Sequence, residues 1–270
     1  MPDPSHVLGG HPDVLERVVA DERDVLRELG GDRVSDIDED ERRAVALWRL
    51  GNALFKLRRF AEAVEPLEEA ERAAALIPGW DSIVVGARLI RAGAFLGLER
   101  WAEAVDLTDD LVEVQEWLYD PVYLQTGLHT RIVALKALGR WQEADAGAAA
   151  LRKSLPEEQT PRTRQHLREA LEIQAQAAQR AGNPELGLPL IDQAVALTVE
   201  DEDREPLSRG LRLRAELLYA TGRNAEARET LQTVIDTFRN DPEDFAITAV
   251  AIARGRKLRM RLQPHRRKSV

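Results

Sequence analysis

The sequence predicts an all-α chain of stacked helical hairpins, and three observations carry that expectation. A short turn motif occurs five times, as Leu57-Arg58-Arg59-Phe60-Ala61-Glu62-Ala63, Leu98-Glu99-Arg100-Trp101-Ala102-Glu103-Ala104, Leu138-Gly139-Arg140-Trp141-Gln142-Glu143-Ala144, Ala181-Gly182-Asn183-Pro184-Glu185-Leu186-Gly187 and Thr221-Gly222-Arg223-Asn224-Ala225-Glu226-Ala227. The last small residue of each copy follows the previous one by 41, 40, 43 and 40 positions, a period typical of stacked repeats. The stretches between copies break on turn chemistry, at Pro78-Gly79, Asp120-Pro121, Pro156, Thr160-Pro161, Gly182-Asn183-Pro184 and Asp241-Pro242. No window alternates apolar and polar residues as a half-buried strand requires.

The elements follow in order. His11-Pro12-Asp13 opens a first helix, because proline fits the first helical turn and an acid there suits the helix dipole. Val14, Leu15, Val18, Val19, Val25, Leu26 and Leu29 line one face of it, and Gly30-Gly31 ends it. Residues 1–37 are therefore read as an N-terminal capping helix and an acidic linker. Residues 38–240 hold five hairpins, with first helices over 38–57, 80–98, 120–138, 160–181 and 203–221. Their second helices run over 60–76, 101–117, 141–154, 184–198 and 224–239. A last helix, within 241–262, begins apolar at Phe245, Ile247, Val250 and Ile252, ends basic, and is expected to cap the array. Residues 263–270 form a basic tail.

Composition narrows the function classes. The chain of 270 residues has no cysteine, which removes disulfides and thiolate metal sites. No basic start followed by an apolar run marks a signal peptide, and no apolar run reaches membrane-spanning length. A cytoplasmic protein is expected. Histidines 6, 11, 129, 166 and 265 are scattered with no zinc spacing, and no Gly-rich phosphate loop occurs. With 31% charged residues, paired carboxylates read as solvated helix faces. No catalytic, metal or cofactor site is expected, and an enzyme would need an unforeseen carboxylate cluster in a closed pocket.

The copies resemble the tetratricopeptide repeat, a helical hairpin whose two helices meet through small residues. The first copy carries the pattern as Leu47, Leu50, Gly51 and Leu54, then Phe60, Ala63, Leu67 and Ala70. Later copies keep the second-helix small residue at Ala104, Ala144, Gly187 and Ala227, but place Ile132 where a small residue belongs and arginine at 91, 131 and 214 beside it. The resemblance implies a right-handed α-solenoid with N- and C-terminal capping helices. The period exceeds the family's usual length of about 34 residues, as in bacterial regulators and signalling adaptors. The aromatics at 60, 101 and 141 read as scaffold that fills the wedge at each turn.

That resemblance also implies a concave groove lined by first helices, and hence a protein or peptide partner. Register places Trp48, Arg49, Asn52, Phe55 and Lys56 there, then Leu89, Ile90, Gly93 and Leu96, then His129, Val133 and Lys136, flanked by Arg88, Arg91 and Arg131. Apolar anchors with arginines to grip an acid suit an adaptor or scaffold. The alternative is that Trp48 covers the N-terminal helix and the arginines pair with neighbouring acids. Asn52 matches one position of the family's carboxylate clamp, but Ile90, Thr126 and Thr130 do not match the others.

Arg254, Arg256, Lys257, Arg259, Arg261, Arg266, Arg267 and Lys268 gather in a segment without acids, although the net charge is −9. Such a run can attract phosphate. It lacks interleaved aromatics for stacking single strands, so nucleic acid is the alternative partner, in a regulator whose repeats sense a protein or peptide. Oligomeric state is left open.

Overall fold

The computed structural model describes residues 11–29, 37–114, 121–241 and 243–262. Among these the chain forms twelve helices and no strand, in two compact units, 1–140 and 141–270. The first unit holds α1 (Pro12–Leu29), α2 (Ile37–Lys56), α3 (Phe60–Ala74), α4 (Asp81–Gly97), α5 (Trp101–Val114) and α6 (Pro121–Ala137). The second holds α7 (Trp141–Ser154), α8 (Pro161–Arg180), α9 (Pro184–Glu200), α10 (Arg204–Ala220), α11 (Asn224–Phe238) and α12 (Asp244–Leu262). In each unit, helices adjacent in sequence pack on one another. None of the described helices is long and apolar enough to cross a membrane.

The helix ends fall within a few residues of the sequence expectation. The second helix of the first hairpin stops at Ala74, leaving Leu76 85% exposed. The last helix begins only at Asp244, because Asp241 Oδ1 accepts from the Glu243 amide at 3.1 Å and holds a turn ahead of it. Residues 115–117, expected at the end of α5, lie outside the described residues, as do 30–36 and 263–270.

One backbone device closes each repeat. Arg58, Glu99, Gly139, Gly182 and Gly222 all adopt positive φ, between 59° and 81°. The amides that follow donate back to Leu54, Phe95, Leu135, Ala178 and Leu218 at 2.8–2.9 Å. This is the left-handed helix stop that glycine fills at least cost. Arg58 and Glu99 hold it with a Cβ and are strained by about 1 kcal/mol. Glu99→Gly is therefore expected to raise stability by about 0.5–1 kcal/mol, read as a higher urea midpoint; an unchanged or lower midpoint would contradict the strain.

The first turn of three second helices repeats a second device. Arg59, Arg100 and Arg223 donate from Nε to Glu62, Glu103 and Glu226, each at 2.7 Å. Those hydrogen bonds hold the three carboxyls below their ordinary pKa. The pairs are solvated, so they steer the turn more than they stabilise it.

Between helices the contact runs through small residues. A Cβ on Gly51 would lie 2.4 Å from Leu67 Cγ, and one on Gly97 2.4 Å from the Phe60 ring. On Gly187 it would meet the Ala175 carbonyl oxygen at 2.9 Å. Ala63, Ala104, Ala144 and Ala227 are fully buried at the same repeat position as Gly187. Leu171, Ile191, Leu217, Leu231 and Phe238 fill the core of the second unit, and Leu47, Leu54 and Leu67 that of the first, where Leu15 and Val19 seat α1.

Candidate functional site

Within each unit the first helices of successive hairpins approach one another and the second helices do not. In the first unit α2 reaches α4 and α4 reaches α6, while α3 and α5 make no such approach. In the second unit α8 reaches α10 and α10 reaches α12, while α7, α9 and α11 stay apart. Among the described residues, each unit thus has an inner face built from first helices. A helix side chain repeats on one face every three or four residues, so that face is read as a strip from each helix.

The inner face of the first unit is aromatic and weakly charged. Trp48 on α2 is half-buried, and its Nε1 is a buried donor without a hydrogen-bond partner among the described residues. A Cβ on Gly86 of α4 would lie 3.5 Å from that nitrogen and 3.9 Å from the Tyr123 hydroxyl on α6. Trp48 and Tyr123 thus both border Gly86, at ordinary contact distance for a Cβ there. Asn52 is 7% exposed on the same face. Phe55 packs on Gly93, whose Cβ would sit 3.1 Å from its ring, and on Phe60 at 5.6 Å between centroids. Phe55 is thus the floor of the strip. Lys56 is half-buried, and burial pulls its pKa below the ordinary lysine range. His129 on α6 is half-buried as well.

The arginines expected to flank this face are engaged by acids of the preceding second helix. Arg88 Nε donates to Glu71 at 2.7 Å, and Arg91 reaches Glu71 at 3.0 Å and Glu68 at 3.9 Å. Arg131 donates to Asp109 at 2.7 Å. In the second unit Arg214 donates to Asp192 at 2.6 Å and to Thr230 at 2.8 Å. Three of these pairings obey the repeat period: 91, 131 and 214 are equivalent positions, and so are 68, 109 and 192. The period puts Gln174 at the missing arginine position and Ala149 at the missing acid. Gln174 makes the bridge differently, donating to Asp145 at 3.2 Å and accepting from Arg152 at 2.7 Å. At 174 and 149 base and acid are lost together, as a structural clasp between hairpins would have it.

The second unit has an inner face that the sequence reading did not assign. Glu172 on α8 is 3% exposed and accepts from Arg209 of α10 at 2.8 Å. Burial opposes the charge on Arg209, but Glu172, backed by Glu169 and Glu205, leaves its pKa raised. Burial, with Arg256 and Arg209 beside it, lowers that of Arg212. Glu216 of α10 pairs with Arg256 of α12. Carrying the first-repeat register on through the fourth and fifth copies would have named Glu172, Arg212 and Glu216, with Arg209 one turn before Arg212.

Of the basic C-terminal group, Arg256 is engaged by Glu216 and Lys257 donates to Gln232. Arg254 and Arg259 are exposed, and neither has an acidic partner among the described residues. The side chain of Arg261 and the whole of Arg266, Arg267 and Lys268 lie outside the described residues. No group of three or more His, Asp or Glu that could hold a metal occurs among the described residues.

Residues 211–241 match the model of the tetratricopeptide repeat. No curated protein sequence matches the chain. Among solved structures, the apo form of RapI superposes with a TM-score of 0.63 at 11% identity, over 91% of this chain and 93% of that one. A Podosopora anserina putative kinesin light chain with nearly identical TPR-like repeats superposes at 0.54 and 20% identity, over 80% and 97%. A Rap protein complexed with competence and sporulation factor superposes at 0.52 and 14% identity, over 93% and 71%. At these identities the likeness is one of fold.

Proposed function

From the premise that this chain is a tetratricopeptide-like helical repeat by fold, we propose that it is a non-enzymatic protein-interaction module. It holds a peptide or helix of a partner protein on the inner faces of its first helices, as an adaptor or scaffold. The observation that carries this reading is the convergence of first helices within each unit. That convergence lines up Trp48, Asn52 and His129 on one face. Trp48 and Tyr123 supply broad, rigid contact area of the kind that anchors interfaces. Lys56, held in a half-buried setting, supplies a positive end for an acidic group.

Arg88 and Arg131 keep 25% and 22% of their side chains exposed. They meet a partner carboxylate by sharing Glu71 and Asp109 rather than by standing unpaired, and Arg91 acts only through that clasp. A cytoplasmic setting and a part in signalling belong to the same proposal. The Rap protein solved with competence and sporulation factor supports a bound partner on such a fold.

The test is a peptide selected on the full-length chain from a random display library. Trp48→Ala is expected to weaken its binding by at least about thirtyfold, the scale of an interface hot spot, while the circular dichroism spectrum is kept. His129→Glu is expected to weaken it as well, and Leu76→Ser, on an exposed turn, to leave it unchanged. Equal binding by all three variants would overturn the reading.

A further inference from the structure

The last helix stands in the array as the first helix of a sixth hairpin. α12 begins 40 residues after α10, at Asp244 against Arg204, and it carries the repeat positions in register. Gly255 falls where Gly51, Ala92, Ala175 and Ala215 lie. Leu258 falls where Leu54, Phe95 and Leu218 lie, and Ala251 where Leu47, Leu171 and Leu211 lie. In a complete hairpin these positions are covered: a Cβ on Gly51 would meet Leu67 of its own second helix at 2.4 Å, and Leu54 and Leu218 are at most 1% exposed. On α12 they are open. A Cβ on Gly255 would meet nothing within 4 Å, Leu258 and Ile247 are each 57% exposed, and Ala251 is exposed too. Ile247 was expected to pack inward. It belongs instead to a stripe with Ala251, Gly255 and Leu258, spaced as one helix face.

The charges beside this stripe are unbalanced in one direction. Arg254 is the sixth member of the series Arg91, Arg131 and Arg214, but the acid position that served them is Gln232 here. Lys257 takes that amide oxygen, and no acid among the described residues pairs with Arg254. Arg214 also bonds Thr230 of its own second helix at 2.8 Å, and Arg254 has no such helix. Between α11 and α12 a cleft of about 400 Å³ is lined by Gln232, Ile235, Arg239, Arg254, Lys257 and Leu258. Its floor is apolar and its rim is cationic.

The geometry points to a docking seat for an acidic amphipathic helix of a partner protein, which lies along α12 beside α11 in the place a second helix takes in the other hairpins. Its small residue faces Gly255, its apolar stripe covers Leu258 and Ile247, and its carboxylates reach Arg254 and Lys257. Residues 263–270 bring further positive charge. A second copy of α12 brings like charges.

The chain itself supplies a probe. Residues 101–114 form α5, a second helix with Ala104 at the small position and acids at Glu103, Asp106, Asp109, Asp110 and Glu113. A fluorescently labelled synthetic peptide of that sequence, added to the full-length chain, is expected to bind saturably and more weakly as salt rises. Leu258→Asp and the pair Arg254→Glu/Lys257→Glu are expected to weaken it by at least about tenfold. Val199→Asp, at an exposed position of α9, is expected to leave it unchanged. Absence of saturable binding up to about 1 mM, or equal binding by Leu258→Asp, would overturn the seat. So would a concentration-dependent dimer abolished by Leu258→Asp, which gives the face to a second copy. Binding of a short duplex DNA by the wild type alone, with the peptide unbound, overturns it in favour of nucleic acid.

Discussion

Gly187→Val is expected to destabilise the second unit by about 3 kcal/mol, at the upper end of what overpacking costs. The reason is the nature of the obstructing atom. A Cβ at 187 would lie 2.9 Å from the Ala175 carbonyl oxygen, which belongs to the backbone of α8 and cannot rotate aside, and 3.1 Å from Leu217. Two more methyl groups must follow it. The gain in helix propensity on replacing glycine, about 0.5–1 kcal/mol, offsets only part of this. Urea denaturation of the full chain followed by circular dichroism reads the change, and a midpoint equal to the wild type's would show that α8 and α9 do not nest through this residue.

Glu71→Ala is expected to cost about 3 kcal/mol, because removing one member of a buried ion pair leaves the other unpaired. Glu71 is 9% exposed and faces two guanidinium groups, Arg88 and Arg91, of which Arg91 is also 9% exposed. Glu103→Ala removes a carboxylate of similar bonding, paired with Arg100 at 2.7 Å, but in open solvent. It is expected to shift the midpoint hardly at all. The double variant Glu71→Ala/Arg91→Leu should recover part of the loss, since it leaves one guanidinium fewer without a carboxylate. A loss equal at Glu71 and Glu103 would show that burial does not set the strength of the clasp.

The fold was legible because its determinants are local and repeated. Glycine at 139, 182 and 222 marks a left-handed stop by chemistry alone, whereas Arg58 and Glu99 occupy the same backbone state and were legible only by their distance from those glycines. The clasps were harder to see. Arg131 and Asp109 are 22 residues apart, as are Arg214 and Asp192, beyond the three- or four-residue reach of pairs within a helix. The arginines therefore looked available in the sequence. Their partners emerge when acids at 68, 109 and 192 are set against bases at 91, 131 and 214 by the repeat period. The inner face of the second unit escaped because its residues are charged, and Glu172 or Arg209 in isolation looks like any solvated helix position. The open face of α12 could be inferred from Gly255 and Leu258 in register, but their exposure depends on what packs nearby, which no local pattern encodes.

The central claim is that the inner faces of first helices, and not the second helices, receive a partner. Hydroxyl-radical footprinting of the full chain, free and saturated with a display-selected peptide, tests it directly, because tryptophan and tyrosine report on both layers. Trp48 and Tyr123 on α2 and α6 are expected to become protected, with Trp101 and Trp141 on the second helices α5 and α7 unchanged. Protection of Trp101 or Trp141 with Trp48 and Tyr123 unaffected would contradict the account.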